Sequence, residues 1–401
     1  MLKTLVGNIV SPNPTVRKLT FANFINTFGN GMFHTVGIIY FSFVVGLGAH
    51  KVALAFTIGA AVSLAVSVPA GHLVDRWSPK YVGILSFIFQ GIALGAQIFT
   101  KTWSSFVILL MIEYFVERFG QNARMSYVAR IGEGQERVEA RAYMRAVTNL
   151  GIGSGTLIAG IALAINTPTA YKTMIALDAL SFIFAALAYT RVPNFESRLE
   201  KHEKFDWSVL RDHRYLIATA LNGGLNLHFL VQNVAIPVWV VKETNAPRWM
   251  ISLIMLMNTA AIVLFQVRTS KKSTDIKAAV KLFQQASFYI ATASLIYAAA
   301  HGVSAWLASL IMMFGMAVHV AGELYGSNAS WMIAMDLADE RRQGVYQGIW
   351  SMGFGLTDMV GPTILVALVI GVGQIGWVIL ALWFLLIGIL MRFHLRQFMN
   401  V

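Results

Sequence analysis

The sequence predicts an all-α membrane protein of twelve transmembrane helices, built as two six-helix bundles related by pseudo-twofold symmetry. Three observations carry that expectation. Of 401 residues, 57% are hydrophobic and only 12% charged, whereas an ordinary soluble domain carries about 25% charged residues. The apolar residues fall into runs of about 20, the length that crosses a hydrocarbon core as a helix. Matching residue patterns recur at fixed offsets between the two halves of the chain. A surface this poor in charge argues against a soluble enzyme. The absence of Cys removes disulfides, thiolate metal sites and cysteine nucleophiles together.

Runs broken by charge, Pro or Gly clusters place the spans at 20–46, 52–74, 81–100, 104–129, 142–165, 171–191, 214–241, 248–267, 279–300, 304–334, 345–370 and 374–395. The first is longer than a signal-peptide core and follows a mixed rather than basic segment, so it is expected to stay in the mature protein. Residues 192–213 are charged and read as a cytoplasmic linker between an N-terminal bundle, 1–191, and a C-terminal bundle, 214–401.

Orientation follows from the bases. Of 31 Lys and Arg, 25 fall at or near the termini and the even-numbered connections, five at or near the odd-numbered ones, and Arg118 alone deep inside a span. Cytoplasmic loops carry the positive excess, so both termini are expected in the cytoplasm of a multi-pass cell-membrane protein. The net charge of +12 is then an orientation signal with some attraction to anionic lipid, and gives no motive for a nucleic-acid partner.

Asn26, Asn30 and Phe33 in span 1 recur as Asn222, Asn226 and Phe229 in span 7, all at an offset of 196. Span 4 holds Glu117, Phe119, Gly120, Asn122 and Ala123 where span 10 holds Glu323, Tyr325, Gly326, Asn328 and Ala329, a shared E-x-[F/Y]-G-x-N-A at an offset of 206. Tyr143 with Gly151 and Gly153 in span 5 is echoed by Tyr346 with Gly353 and Gly355 in span 11. In-order matches at equivalent spans indicate a parallel duplication of six helices.

Between spans 2 and 3 stand Gly71, Leu73, Asp75, Arg76 and Lys80 in the order of G-x-L-x-D-R-x-G-R-[K/R]. The segment resembles the signature loop of the major facilitator superfamily, with Ser78 and Pro79 in place of the usual Gly and Arg. Arg118 followed by Phe119 and Gly120 is similar to the arginine motif of proton-coupled members. The glycines of span 5, running from Gly151 through Gly153 and Gly155 to Gly160, resemble those of the drug/proton antiporter branch, with Thr156 where that branch has Pro. The resemblance implies the major facilitator fold, gating by Gly71, Asp75, Arg76, Lys80 and Arg118, and a central cavity lined by spans 1, 4, 7 and 10. It also places spans 3, 6, 9 and 12 outside that cavity. Gly151, Gly153 and Gly155 are expected to serve close helix packing.

Ionisable side chains inside a span are functional candidates by default. Glu113, Glu117, Asp178, Glu323 and Asp358 qualify, with His319 one turn from Glu323. Low-dielectric surroundings favour the neutral form of a carboxyl group. Arg118 beside Glu117 would oppose this, whereas Leu324 beside Glu323 supplies no charge, so Glu323 is the expected proton carrier with Asp358 in reserve. Because the resemblance puts span 6 outside the cavity, Asp178 reads as a peripheral helix-packing acid and is kept as a minor proton-coupling candidate. His319 and Glu323 also make half a metal site, but no third ligand at suitable spacing stands near them in sequence, and neither metal nor cofactor is expected. Asn26, Asn30 and His34 on one face of span 1, and Asn222, Asn226 and Asn233 on one face of span 7, fit either cavity lining or interhelical hydrogen bonding.

No phosphate-binding or hydrolase motif occurs in a suitable context. The leading expectation is a monomeric secondary active exporter of amphipathic or drug-like small molecules, driven by protons and surrounded by membrane lipids. Transport of a defined metabolite, or a non-transporting sensor or lipid-handling role on the same fold, are the alternatives.

Overall fold

Side chains set the start of many helices in the computed structural model, which describes residues 9–196 and 207–396. Asn13, Ser78, Thr102, Thr167, Asp212 and Asp275 each accept a backbone N–H from the first turn of the helix that follows. Pro stands directly after the cap in three of them, where its missing N–H costs nothing. The helices so begun are α1 (Pro14–Ile39), α4 (Pro79–Gln97), α5 (Trp103–Val128), α7 (Pro168–Tyr189), α8 (His213–Leu230) and α11 (Ile276–Ala298). Between them lie α2 (Ala49–Ala65), α3 (Ser67–Arg76), α6 (Gln135–Ile165), α9 (Ile236–Glu243) and α10 (Met250–Ser270), and α12 (Ala305–Asp336), α13 (Gln343–Val366) and α14 (Gln374–His394) complete the chain. No strand forms among the described residues, so the all-α expectation holds.

Every predicted span is helical, but the helices differ from the spans in instructive ways. Span 2 is bent by 48° between α2 and α3, since Pro69 has no N–H to offer the Ala65 carbonyl. Span 7 passes through a π-helical segment, Val231–Ala235, before α9, and Pro237 likewise withholds a bond from the preceding turn. α6 begins before the apolar run that predicts it, because Glu136, Arg137, Glu139 and Arg141 suit a helix outside the membrane and carry no hydropathy signal. By length and apolarity alone, eight described helices could cross a membrane, or nine if the bent pair is one span. α5 fails that test because Glu113, Glu117, Arg118 and Arg124 lie within it.

The chain divides into two compact units, each with its own interior. Unit 1 comprises Met1–Glu133, Tyr143–Asp206 and Ala338–Ile349; unit 2 comprises Gly134–Ala142, Trp207–Leu337 and Trp350–Val401. In unit 1, α1 packs on α7 and α4 lies between α5 and α7. A Cβ on Gly31 would strike the Ile152 carbonyl, and one on Gly155 would strike the Phe28 carbonyl, so α1 and α6 meet backbone to backbone. In unit 2, α11 packs on α12 and α14, and Trp239, Tyr297 and Trp377 form a buried aromatic group. Outward faces are strongly apolar: Phe99 is 81% exposed, Leu157 77% and Trp306 74%. Such faces suit lipid rather than water. Much of the predicted linker, 197–206, lies outside the described residues, as do the two ends of the chain.

Candidate functional site

Three polar constellations form inside these helices. The first, in unit 1, surrounds a small cavity of about 40 Å³ lined by Asn30, His34, Gln90, Glu113, Glu117 and Asp178 among others. Five of these six are expected site residues, drawn from three spans. The i, i+4 spacing of Glu113 and Glu117 on α5 aims both at one side, and Glu113 stands within electrostatic range of Glu117 and Asp178. Gln97 donates to Glu113 Oε2 at 2.5 Å, Gln121 donates to Glu117 Oε1 at 2.7 Å, and the Ser181 hydroxyl donates to Asp178 Oδ1 at 3.1 Å. The sequence expectation that Asp178 is peripheral needs correction. It is 1% exposed, and only the missing side chain of Gly29 leaves room for it beside α1. Gln90 and Gln97 were missed; a lone amide in an apolar span was their only signal.

The second constellation, in unit 2, joins α8, the π-helical segment, α10 and α12. Glu323 Oε2 accepts two amide N–H bonds, from Gln232 Nε2 at 2.5 Å and Asn258 Nδ2 at 2.7 Å. His319 Nε2 lies 3.2 Å from His228 Nδ1. One ligand atom from each of His228, His319 and Glu323 lies within 4.8 Å of the other two, and all three side chains are buried. His228 is the third nitrogen or oxygen donor that sequence spacing could not supply, because 91 residues separate it from His319.

The third constellation centres on Asp75, which is fully buried. Its carboxylate accepts the backbone N–H of Gly344 at 2.8 Å and of Val345 at 3.0 Å, and pairs with Arg130 Nη2 at 3.2 Å. The residue therefore caps the first turn of α13 from the end of α3, and both of those segments belong to unit 1. The ionic partner of Asp75 is Arg130 rather than the adjacent Arg76, whose Nε has no hydrogen-bond partner among the described residues. Gly71 is needed because a Cβ there would strike the Gly344 carbonyl, and one on Gly344 would strike the Gly71 carbonyl. Ser78 and Pro79, the departures from the signature, form the cap and first residue of α4, and Ser78 Oγ accepts the Lys80 N–H.

Other expected residues scatter. Arg118 Nε donates to Ser63 at 2.9 Å, tying α5 to α2. Asp358 and Asn233 lie on exposed faces, Asn233 because the π-helical segment shifts the side-chain register away from that of Asn222 and Asn226. Asn26 donates to Asn30 at 3.3 Å. Asn222 is fully buried, and neither its amide nitrogen nor its oxygen has a hydrogen-bond partner among the described residues. Gly151 and Gly155 are buried against α1 with Ala159, one turn further, whereas Gly153 is half-buried off that stripe. The repeated Asn of E-x-[F/Y]-G-x-N-A is a packing residue. Asn122 donates to the Ser67 carbonyl at 2.6 Å in unit 1, and Asn328 donates to Thr269 Oγ1 at 3.0 Å in unit 2.

Long apolar helices with buried carboxylates and the signature loop are the marks of a multi-pass membrane transporter fold. The family model for the Major Facilitator Superfamily matches residues 19–362. The chain belongs to the major facilitator superfamily. Solved structures agree on the fold. A bacterial homologue of the iron transporter ferroportin, in an outward-facing state, superposes with a TM-score of 0.75 at 12% identity, covering 97% of this chain and 100% of that one. FucP in the outward conformation gives 0.72 at 14% identity, covering 94% and 98%. The human organic anion transporter MFSD10 gives 0.66 at 14%, covering 94% and 100%. A search of curated protein sequences found no match.

Proposed function

We propose that this chain is a secondary active transporter that exports amphipathic or drug-like small molecules in exchange for protons, by alternating access, as a monomer in a cell membrane with both termini in the cytoplasm. The observation that carries proton coupling is the gathering of Glu113, Glu117 and Asp178 around one small polar cavity. Like charges crowded in a low-dielectric interior repel, and a shared proton relieves them. This reading moves the proton-carrying role from Glu323, whose carboxylate oxygen already accepts two amides, to the acids of α5 and α7. Export of amphipathic compounds is supported by the glycine pattern of α6. Orientation is supported by the placement of 25 of the 31 bases. The partnerless Asn222 offers a buried amide that substrate or water could satisfy.

The test is substrate-dependent proton flux in proteoliposomes, across a panel of lipophilic cations and neutral antibiotics. A Glu113→Gln, Asp178→Asn double variant should bring proton flux to background while energy-independent substrate binding persists. Undiminished coupled flux in that variant, checked for insertion, would refute the assignment. No flux for any compound in the unaltered protein would favour the non-transporting alternative.

A further inference from the structure

His228, His319 and Glu323 have no role in the proposed proton cycle, yet they are gathered from two helices into one buried group. His319 and Glu323 stand at i, i+4 on α12 and therefore share a face. His228 reaches them from the last turn of α8, immediately before the π-helical Val231–Ala235. Such single-turn π segments occur often at functional sites, because they turn side chains out of ordinary helical register.

The spacing suits a metal ion. Two ligand atoms held tetrahedrally at 2.0–2.1 Å from an ion stand about 3.3 Å apart. The imidazole nitrogens His228 Nδ1 and His319 Nε2 are 3.2 Å apart, and all three ligand atoms fit within 4.8 Å. A simple hydrogen bond between the rings would account for the first distance. It would not account for the carboxylate beside them, held by two further side chains: Gln232 and Asn258 both donate to Glu323 Oε2. Hydrogen-bonded outer groups that orient a ligating carboxylate are the usual support of a built metal site. His319 Nδ1 is buried with no hydrogen-bond partner, so no bond at that atom fixes the ring's tautomer, and Nε2 is able to present its lone pair. The Tyr297 ring lies 6.1 Å from that of His319, with Trp377 packed behind it, giving the group an apolar wall.

We propose that His228, His319 and Glu323 form a binding site for one divalent first-row transition-metal ion of the zinc class, with a fourth position left for water or a ligand. Two imidazoles and a carboxylate favour Zn²⁺, Co²⁺ or Ni²⁺, whereas Mg²⁺ and Ca²⁺ require all-oxygen shells. The site is built from other residues than the acids of unit 1, and binding is read without a gradient, so its failure and that of the proton-coupling reading are separate results.

The test uses the full chain in detergent, purified through a tag free of histidine. After incubation with Co²⁺ and removal of excess, one Co²⁺ per chain should remain, with the intense visible bands of four-coordinate cobalt. Zn²⁺ should displace it and Mg²⁺ should not. His228→Gln and His319→Gln should each abolish those bands. Asn258→Ala, which leaves all three ligands in place, should weaken affinity by about 10–100-fold. Should either His variant elute as aggregate, the unaltered protein still decides the matter through its stoichiometry and spectrum. Failure to retain cobalt, an octahedral spectrum, or an undiminished four-coordinate spectrum in a well-folded His228→Gln, His319→Gln double variant would overturn the proposal.

Discussion

Replacing Gly155 with leucine should leave little or no monodisperse protein in detergent. At this position a Cβ would overlap the Phe28 carbonyl and approach Gly31 Cα at 3.1 Å. The obstacle is backbone on the facing helix, and no rotamer change clears it. Overpacking against movable side chains typically costs about 1–3 kcal/mol, and separating α1 from α6 would also undo the contact of Gly31 with Ile152 and of Gly151 with Thr27. Gly160 is the control. It lies on the same helix, exposed, with nothing within 4 Å of its would-be Cβ, so Gly160→Leu should purify in near-normal yield. Size-exclusion profiles of the two variants decide the matter. Equal yields would show that the glycine stripe does not set the α1–α6 approach.

Asp75→Ala is the second large effect. Removing one partner of a buried ion pair costs about 3–5 kcal/mol, because the other charge stays behind without compensation. Here the charge left is Arg130, whose side chain is 3% exposed, and the first turn of α13 also loses the acceptor for two N–H groups. The thermal midpoint in detergent should drop by several degrees and transport turnover should fall with it. Asp75→Asn should do less to stability, since it keeps an oxygen near Gly344, while still slowing turnover. Arg130→Ala should resemble Asp75→Ala, and the double variant should lose less than the sum of the two singles, as expected for residues in direct contact. Arg76→Ala should be mild by comparison. If Arg76→Ala proved as harmful as Asp75→Ala while Arg130→Ala was silent, the assignment of the pair would be wrong.

The signature loop shows how far spacing alone can reach. Asp75 was identifiable because its spacing from Gly71, Leu73, Arg76 and Lys80 resembles the family's signature loop, but that spacing says nothing of what its carboxylate meets. The true partners are 55 residues away at Arg130 and 269 and 270 residues away at Gly344 and Val345. Likewise, one acid per span could be marked as costly, yet nothing in the order of residues brings Glu113 and Asp178 to one cavity. That depends on α5 and α7 both packing against α4. His319 and Glu323 were legible as a pair because helical periodicity fixes i, i+4 neighbours. His228 was not, because its approach depends on how α8 leads into the π-helical segment beside α12.

What the sequence determined by itself was everything governed by local or one-dimensional physics. Hydropathy marked the helical spans, and helical periodicity put His319 and Glu323 on one face. The tertiary structure alone decided which polar side chains meet. In a membrane interior a buried donor or acceptor left without a partner is costly, and many of the partners found come from other helices. Pairing therefore follows the approach and rotation of helices, which depend on where glycines let backbones touch and where prolines bend or loosen a turn. Asp178 thus lines the acid cavity, where Gly29 leaves room for it, whereas Asp358 lies on an exposed face of α13.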